Sequence, residues 1–202
     1  MRKYAGLVLI LLLSAFEVYA QRIAVAPHTN LLLPLFNAGV TVPIGSHLSI
    51  DATAYYPWLG HDPANSRCLE ARGATLELRW WLAPRRIDGL EGNTLAGHSL
   101  ALGVFGVQAD LEWNNHGIRT EPYGAYLDYG YTFRLGRYAR LMLSLGVGYA
   151  RVPWRDYTVF TEGGKLVRQR PVLDHTESYL GPVKAAVSLA IPIIIPAKSP
   201  AP

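Results

Sequence analysis

Cysteine is almost absent from this chain. Cys68 stands alone, so no intrachain disulfide can form. An exported domain of this size must then hold itself together by packing or by closing its sheet. Long apolar runs are missing as well. After residue 20 no segment approaches the ~20 apolar residues of a spanning helix. The greasiest stretch, 191–197, is broken by Pro192 and Pro196. Helical spacing of apolar residues is nearly absent too, which argues against a helical domain. The formal net charge of +4 is too mild for a nucleic-acid footprint.

Metal-ligand spacing is also lacking. His28, His47, His61, His98, His116 and His175 include no His-x-x-x-His pair, and Cys68 has no Cys-x-x-Cys partner, so no metal ligand is assigned. Gly163-Gly164-Lys165 lacks the first Gly and the Ser/Thr of a phosphate loop. No cofactor is assigned.

What is present begins with a leader. Arg2 and Lys3 precede an apolar core at 7–13, and Val18-Tyr19-Ala20 places small residues where a signal peptidase reads. Residues 1–20 therefore read as a signal peptide, 21–195 as one β domain, and 196–202 as a disordered Pro-rich tail. Removing Arg2, Lys3 and Glu17 leaves a charge of +3, since two cations and one anion go with the leader.

The mature chain alternates with a period of two. In 141–150 the odd positions Leu141, Leu143, Leu145, Val147 and Tyr149 are large and apolar. The even positions include Ser144, Gly146, Gly148 and Ala150. Such a strand has one greasy face and one thin face. A soluble sandwich turns the greasy face inward, whereas an outer-membrane barrel turns it to lipid. Eight strand-like segments follow this rule, at about 23–33, 36–44, 47–58, 73–83, 98–113, 122–135, 138–155 and 178–194. Parity blurs near Gly103 and Gly106, where a bulge is expected. Pro192 predicts that the last strand ends near Ile191.

Connections and faces point the same way. Gly45-Ser46 and Gly136-Arg137 read as short turns, Asn114-Asn115-His116-Gly117 as a further turn, and 59–72 and 156–177 as long polar loops. The links near Pro34 and over 84–97 fit that segregation less well. The polar faces collect Asp51, Glu77, Arg79, Asp128, Arg134 and Lys184, three acids and three bases. A soluble core could not bury six charges cheaply, but a narrow eight-stranded lumen can pair them into a plug. The bland alternative is a solvated outer face on a soluble protein. Aromatics form two expected belts. Tyr55, Tyr56, Trp58, Trp113, Tyr123, Trp154, Tyr157 and Tyr179 belong to the long-loop end, and Trp80, Trp81, Phe133 and Tyr138 to the other.

Several blocks resemble a known family. His28-Thr29-Asn30-Leu31-Leu32 is similar to its Lys-Thr-Asn-Leu-Leu opening. Asn37-Ala38-Gly39-Val40 and Pro43-Ile44-Gly45 resemble its Pro-Asn-Leu-Gly and Pro-Leu-Gly hairpin. Glu77-Leu78-Arg79-Trp80-Trp81 resembles a Glu-x-Arg-Tyr-Trp strand, and Gly97-His98 its Gly-His. Tyr129-Gly130-Tyr131, Leu145-Gly146-Val147-Gly148-Tyr149 and Gly181-Pro182-Val183-Lys184 echo later blocks. The chain is thus identified as similar, over roughly 28–194, to the domain of unknown function 3575 family of Gram-negative anaerobes. It departs at His28 for Lys, at Leu35-Phe36 where a Pro precedes the Asn, and at Val183 for Thr. The resemblance implies an outer-membrane β-barrel and, from neighbouring fimbrial genes, a role in envelope or surface assembly. It implies no activity and carries over no catalytic residue.

The resulting expectation is all-β: an eight-stranded antiparallel transmembrane β-barrel with a side-chain-filled lumen, in the cell outer membrane. Its role is structural or partner-binding rather than enzymatic. Leu141, Leu143, Leu145 and Val147 are expected to face lipid, and Gly146 and Gly148 to leave lumen space for larger charged side chains. Lys165, Arg168 and Arg170 form a basic cluster that could meet lipopolysaccharide phosphates, since Arg grips phosphate with two hydrogen bonds. Two alternatives stay open. A lipid-modifying hydrolase would need His175 and Ser178, with Glu177, on one side of the mouth, although alternation along a strand sets them apart. A lipocalin-like soluble binder would need an apolar cavity lining.

Overall fold

A computed structural model describes residues 23–32, 36–44, 47–56, 68–83, 95–136, 138–162, 165–169 and 174–195. Side chains at 23, 24, 68, 161–170, 174, 194 and 195 are outside the description. The leader over 1–20 and the tail over 196–202 lie outside the described residues, as do Trp58, Arg170 and the Gly45-Ser46 turn.

Among the described residues, every element is a strand. They are β1 (Ile23–Asn30), β2 (Phe36–Pro43), β3 (Leu48–Tyr56), β4 (Cys68–Trp81), β5 (Gly97–Trp113), β6 (His116–Thr120), β7 (Tyr123–Leu135), β8 (Ala139–Glu162), β9 (Lys165–Gln169), β10 (Asp174–Ala190) and β11 (Ile193–Ile195). All pairings are antiparallel. Each strand pairs with the next in order, β6 and β7 form successive parts of one stave, and β10 returns to β1. β9, β10 and β11 likewise continue one another along β8 and β1. The sheet is therefore a ring of eight staves, closed where β1 meets β10 and β11.

Local chemistry explains the joints. Asn114 and Asn115 adopt φ of 48° and 68° between β5 and β6, the backbone of a tight hairpin turn that Asn tolerates. Gly136 takes φ 72° between β7 and β8. Pro122 lacks an amide, and it interrupts the stave between β6 and β7 while its carbonyl accepts from Val107 N at 2.9 Å. Pro192 similarly separates β10 from β11.

Several boundaries differ from the sequence reading. The stretches 59–72 and 156–177 were expected as loops. Instead β4 begins at Cys68, β8 runs to Glu162, and β9 pairs back on it. The turn expected over 114–117 is confined to Asn114 and Asn115, and His116 and Gly117 already belong to β6. No bulge occurs at Gly103 or Gly106, where β4–β5 register is unbroken; the shift lies between Pro182 and Lys184 in β10. The last stave does not stop near Ile191, because Ile193–Ile195 pairs with Ile23–Val25.

The wall is lopsided. β1, β2 and β3 have 8, 8 and 9 residues, whereas β5 has 17 and β8 has 24. The long staves project past the short ones at the end that carries the Asn114-Asn115 turn. At the opposite end Ala26, Trp81 and Leu95 pack together, with Trp81 Nε1 donating to Ser49 Oγ at 2.9 Å.

Candidate functional site

The interior of the ring is charged. Arg79 on β4 is completely buried, and Asp128 on β7 is 1% exposed. Arg79 pairs with Glu77 and, at 2.7 Å, with Asp128 Oδ2; its Nη1 donates to Ser99 Oγ at 2.9 Å. Lys184 from β10 reaches across to pair with Glu77 and lies 3.4 Å from Asp128 Oδ2. Tyr126 OH donates to Glu77 Oε1 at 2.7 Å. Two carboxylates and two cations thus meet at the centre, tied together by hydrogen bonds that leave only Arg79 Nε and Asp128 Oδ1 without a partner among the described residues. A buried pair is tolerable only with such additional hydrogen bonds.

Asp51 sits beside this group, directly opposite Glu77 in register. It accepts from Thr41 Oγ1 at 2.6 Å and Thr53 Oγ1 at 3.3 Å. His28 Nε2 is 3.0 Å from Thr53 Oγ1 and 3.7 Å from Asp51 Oδ1. Small residues make room for these groups. A Cβ on Gly39 would stand 2.2 Å from the His28 ring, one on Gly103 2.4 Å from the Tyr126 ring, and one on Gly130 2.8 Å from Arg79 Nη1.

Five of the six residues expected in this network, Asp51, Glu77, Arg79, Asp128 and Lys184, do meet in the interior. Arg134 does not. It has the right parity, but it lies at the exposed end of β7, opposite Arg140. His28, Tyr126 and Ser99 are the members that sequence reasoning missed. Parity alone puts Tyr126 with Gly124 and Asp128; nothing local marks His28.

The two glycines of β8 behave differently. Gly146 leaves space for Lys184 and Tyr126, whose atoms would lie 3.1 and 3.2 Å from an added Cβ. Gly148 instead admits the backbone of β7, since its Cβ would stand 2.2 Å from Ala125 O. The expectation of side-chain space holds at Gly146 and is corrected at Gly148.

The outward face is apolar. Leu143, Leu145 and Val147 are exposed, Leu145 at 58%, and Leu141 is half-buried. Leu76, Leu78, Leu102, Leu127 and Tyr129 continue the same surface across the register. Four aromatics leave the expected belts: Trp81 and Tyr157 are buried and Tyr55 and Trp154 are half-buried, while Tyr56, Trp80, Trp113, Tyr123, Phe133, Tyr138 and Tyr179 are exposed.

Polarity inverts on the projecting staves. There the outward-facing rows carry Arg72 and Gln108, then Asp110, Arg119 and Arg155. Leu69, Leu111 and Ile118, one row in register, fall on the opposite face and are exposed.

The remaining candidates do not converge. His175 pairs in register with Trp154 and Ser178 with Arg151, so the two lie on opposite faces of β10. Ser178 Oγ is instead 2.8 Å from Tyr149 OH. Lys165 and Arg168 belong to β9, but their side chains, like Arg170, lie outside the described residues. Among the described residues no group of three His, Cys, Asp or Glu side chains is placed to hold a metal ion.

A closed antiparallel ring with a salt-bridged interior and an apolar outer surface defines the class. The family comparison matches residues 6–193 to the family described as protein of unknown function (DUF3575), and the chain belongs to that family. No curated protein and no solved structure matches it.

Proposed function

We propose that the ring is a transmembrane β-barrel of the outer membrane, acting as a structural or partner-binding component of the envelope. The observation that carries this reading is the inside-out distribution of polarity. Large apolar side chains such as Leu127, 65% exposed, cover the outside, while the salt-bridged carboxylates and cations fill the inside. Water would drive the opposite arrangement. On β7 the outward series Tyr123, Ala125, Leu127, Tyr129, Tyr131, Phe133 and Leu135 spans roughly 40 Å of strand, or about 30 Å of height at a tilt of about 40°. That height suits a hydrocarbon layer. A lipocalin-like binder would need an apolar lining, and this interior is ionic.

The interior plug argues for a role at the projecting hairpins rather than for passage through the ring. Those hairpins present charged rows on one face and Leu69, Leu111 and Ile118 on the other, a surface suited to an envelope partner, including one engaged in fimbrial or surface assembly.

The test is electrophoresis of the membrane fraction, unboiled and boiled. A closed barrel resists detergent until heated, so the unboiled band should run differently from the boiled one. Recovery in the soluble periplasm with no shift would overturn the proposal.

A further inference from the structure

The outward face changes character between two adjacent rows. The lower row is Ala74, Gly106, Tyr123 and Arg151, in cross-strand register. In the row above, Arg72 pairs with Gln108, and Glu121 stands beside them. Between the rows lies a groove of about 480 Å³, lined by Arg72, Gly73, Gly106, Gln108, Glu121 and Tyr123 among others. Gly106 opens its floor, since a Cβ there would meet nothing within 4 Å. Below the groove the surface continues as Leu76, Val104 and Leu102, all exposed.

A chain of polar contacts orients the cation at its head. Arg72 Nε donates to Gln108 Oε1 at 2.7 Å, and Gln108 Nε2 donates to Glu121 Oε1 at 3.0 Å. Arg119 Nη2 lies 3.4 Å from the same Glu121 oxygen. The Glu121 charge is thus countered by Arg119, and Gln108 separates it from Arg72. The two terminal amino groups of Arg72 have no acceptor among the described residues. They form the half of the guanidinium fork that grips a phosphate with two parallel hydrogen bonds.

The geometry points to a binding site for one phosphate-bearing membrane lipid, its phosphate on Arg72 and its acyl chain lying through the Gly106 notch over Val104 and Leu76. The inference rests on the transmembrane reading. Charge complementarity supplies the head contact, and continuity with the apolar surface supplies the tail contact. The basic residues earlier expected to meet phosphate, Lys165, Arg168 and Arg170, are not needed for it.

The test is native mass spectrometry of the full chain in detergent micelles, titrated separately with dioleoylphosphatidylglycerol, with dioleoylglycerol and with inorganic phosphate. The phosphorylated lipid should add once to the wild type. Its affinity should fall about tenfold in Arg72→Gln, the scale of one lost charge-assisted hydrogen-bond pair. Gly106→Leu, which fills open space and leaves the fold intact, should weaken it similarly. Dioleoylglycerol should bind the wild type no better than the phosphorylated lipid binds Arg72→Gln, and inorganic phosphate should give no adduct. Unchanged affinity in both variants overturns the site. Equal binding of dioleoylglycerol overturns the phosphate contact, and equal binding of inorganic phosphate overturns the lipid. The heat shift on a gel separates this from the underlying reading. A normal shift with unchanged lipid binding defeats the groove alone, whereas a wild type without the shift defeats both.

Discussion

Arg79 carries the interior. It is fully buried and touches Glu77, Asp128 and Ser99 at once. Removing it leaves two buried carboxylates sharing Lys184 as their one cation, and breaking a buried ion pair in this way costs about 3–5 kcal/mol. Arg79→Met should therefore lower the unfolding free energy, read from the urea dependence of the folded band on an unboiled gel, by that order. Arg134→Ala, at the exposed end of β7, should stay within about 0.5 kcal/mol. Equal effects would show that the network has been drawn around the wrong arginine. The pair also marks the limit of sequence reading. Alternation assigns Arg134 and Asp128 to one face, and both are on it. Alternation carries no information on height, and height decides which of them meets Arg79. With Arg134 outside, His28 is the group that stands beside Asp51. It occupies the position where the family resemblance expects Lys, so a basic residue is placed there in either case.

At the scale of elements, glycine bends the staves. Added Cβ atoms on Gly73, Gly124 and Gly148 would meet neighbouring backbone oxygens at 2.4, 2.1 and 2.2 Å. Such close approach lets a small ring curve tightly. Gly148→Ala should destabilise by about 1–3 kcal/mol through forced backbone shifts. Gly106→Ala, facing open space, should be near neutral. Thermal loss of the unboiled band compares the two, and similar midpoints would defeat the argument. The strand cores were legible because one periodic face repeats over many residues. The strand ends were not. Past the rim the polarity exchanges faces, and charges such as Arg155 and Asp156 resemble a loop although the backbone continues to pair. The Pro182–Lys184 shift is equally silent in the sequence, since a bulge changes face without requiring a particular residue there.

At the scale of the whole molecule, the ring closes at its thinnest point. β1 meets β10 over three residue pairs and β11 over three more, whereas β7 meets β8 over thirteen. Pro27 and Pro192 contribute no amides there. Amides flanking this seam, Ile191 and Leu31 among them, should exchange with solvent deuterium well before those of β7 and β8. Uniform protection around the ring would contradict that order. The exchange of polarity at the rim has a consequence of its own. On the proposed transmembrane reading, moving the molecule down by one row, roughly 7 Å of strand, would carry Arg151 into hydrocarbon; moving it up would lift Trp80 and Phe133 out. On that reading both displacements are opposed, so the chain would carry its own depth stop, holding the projecting hairpins at a set distance above the membrane surface.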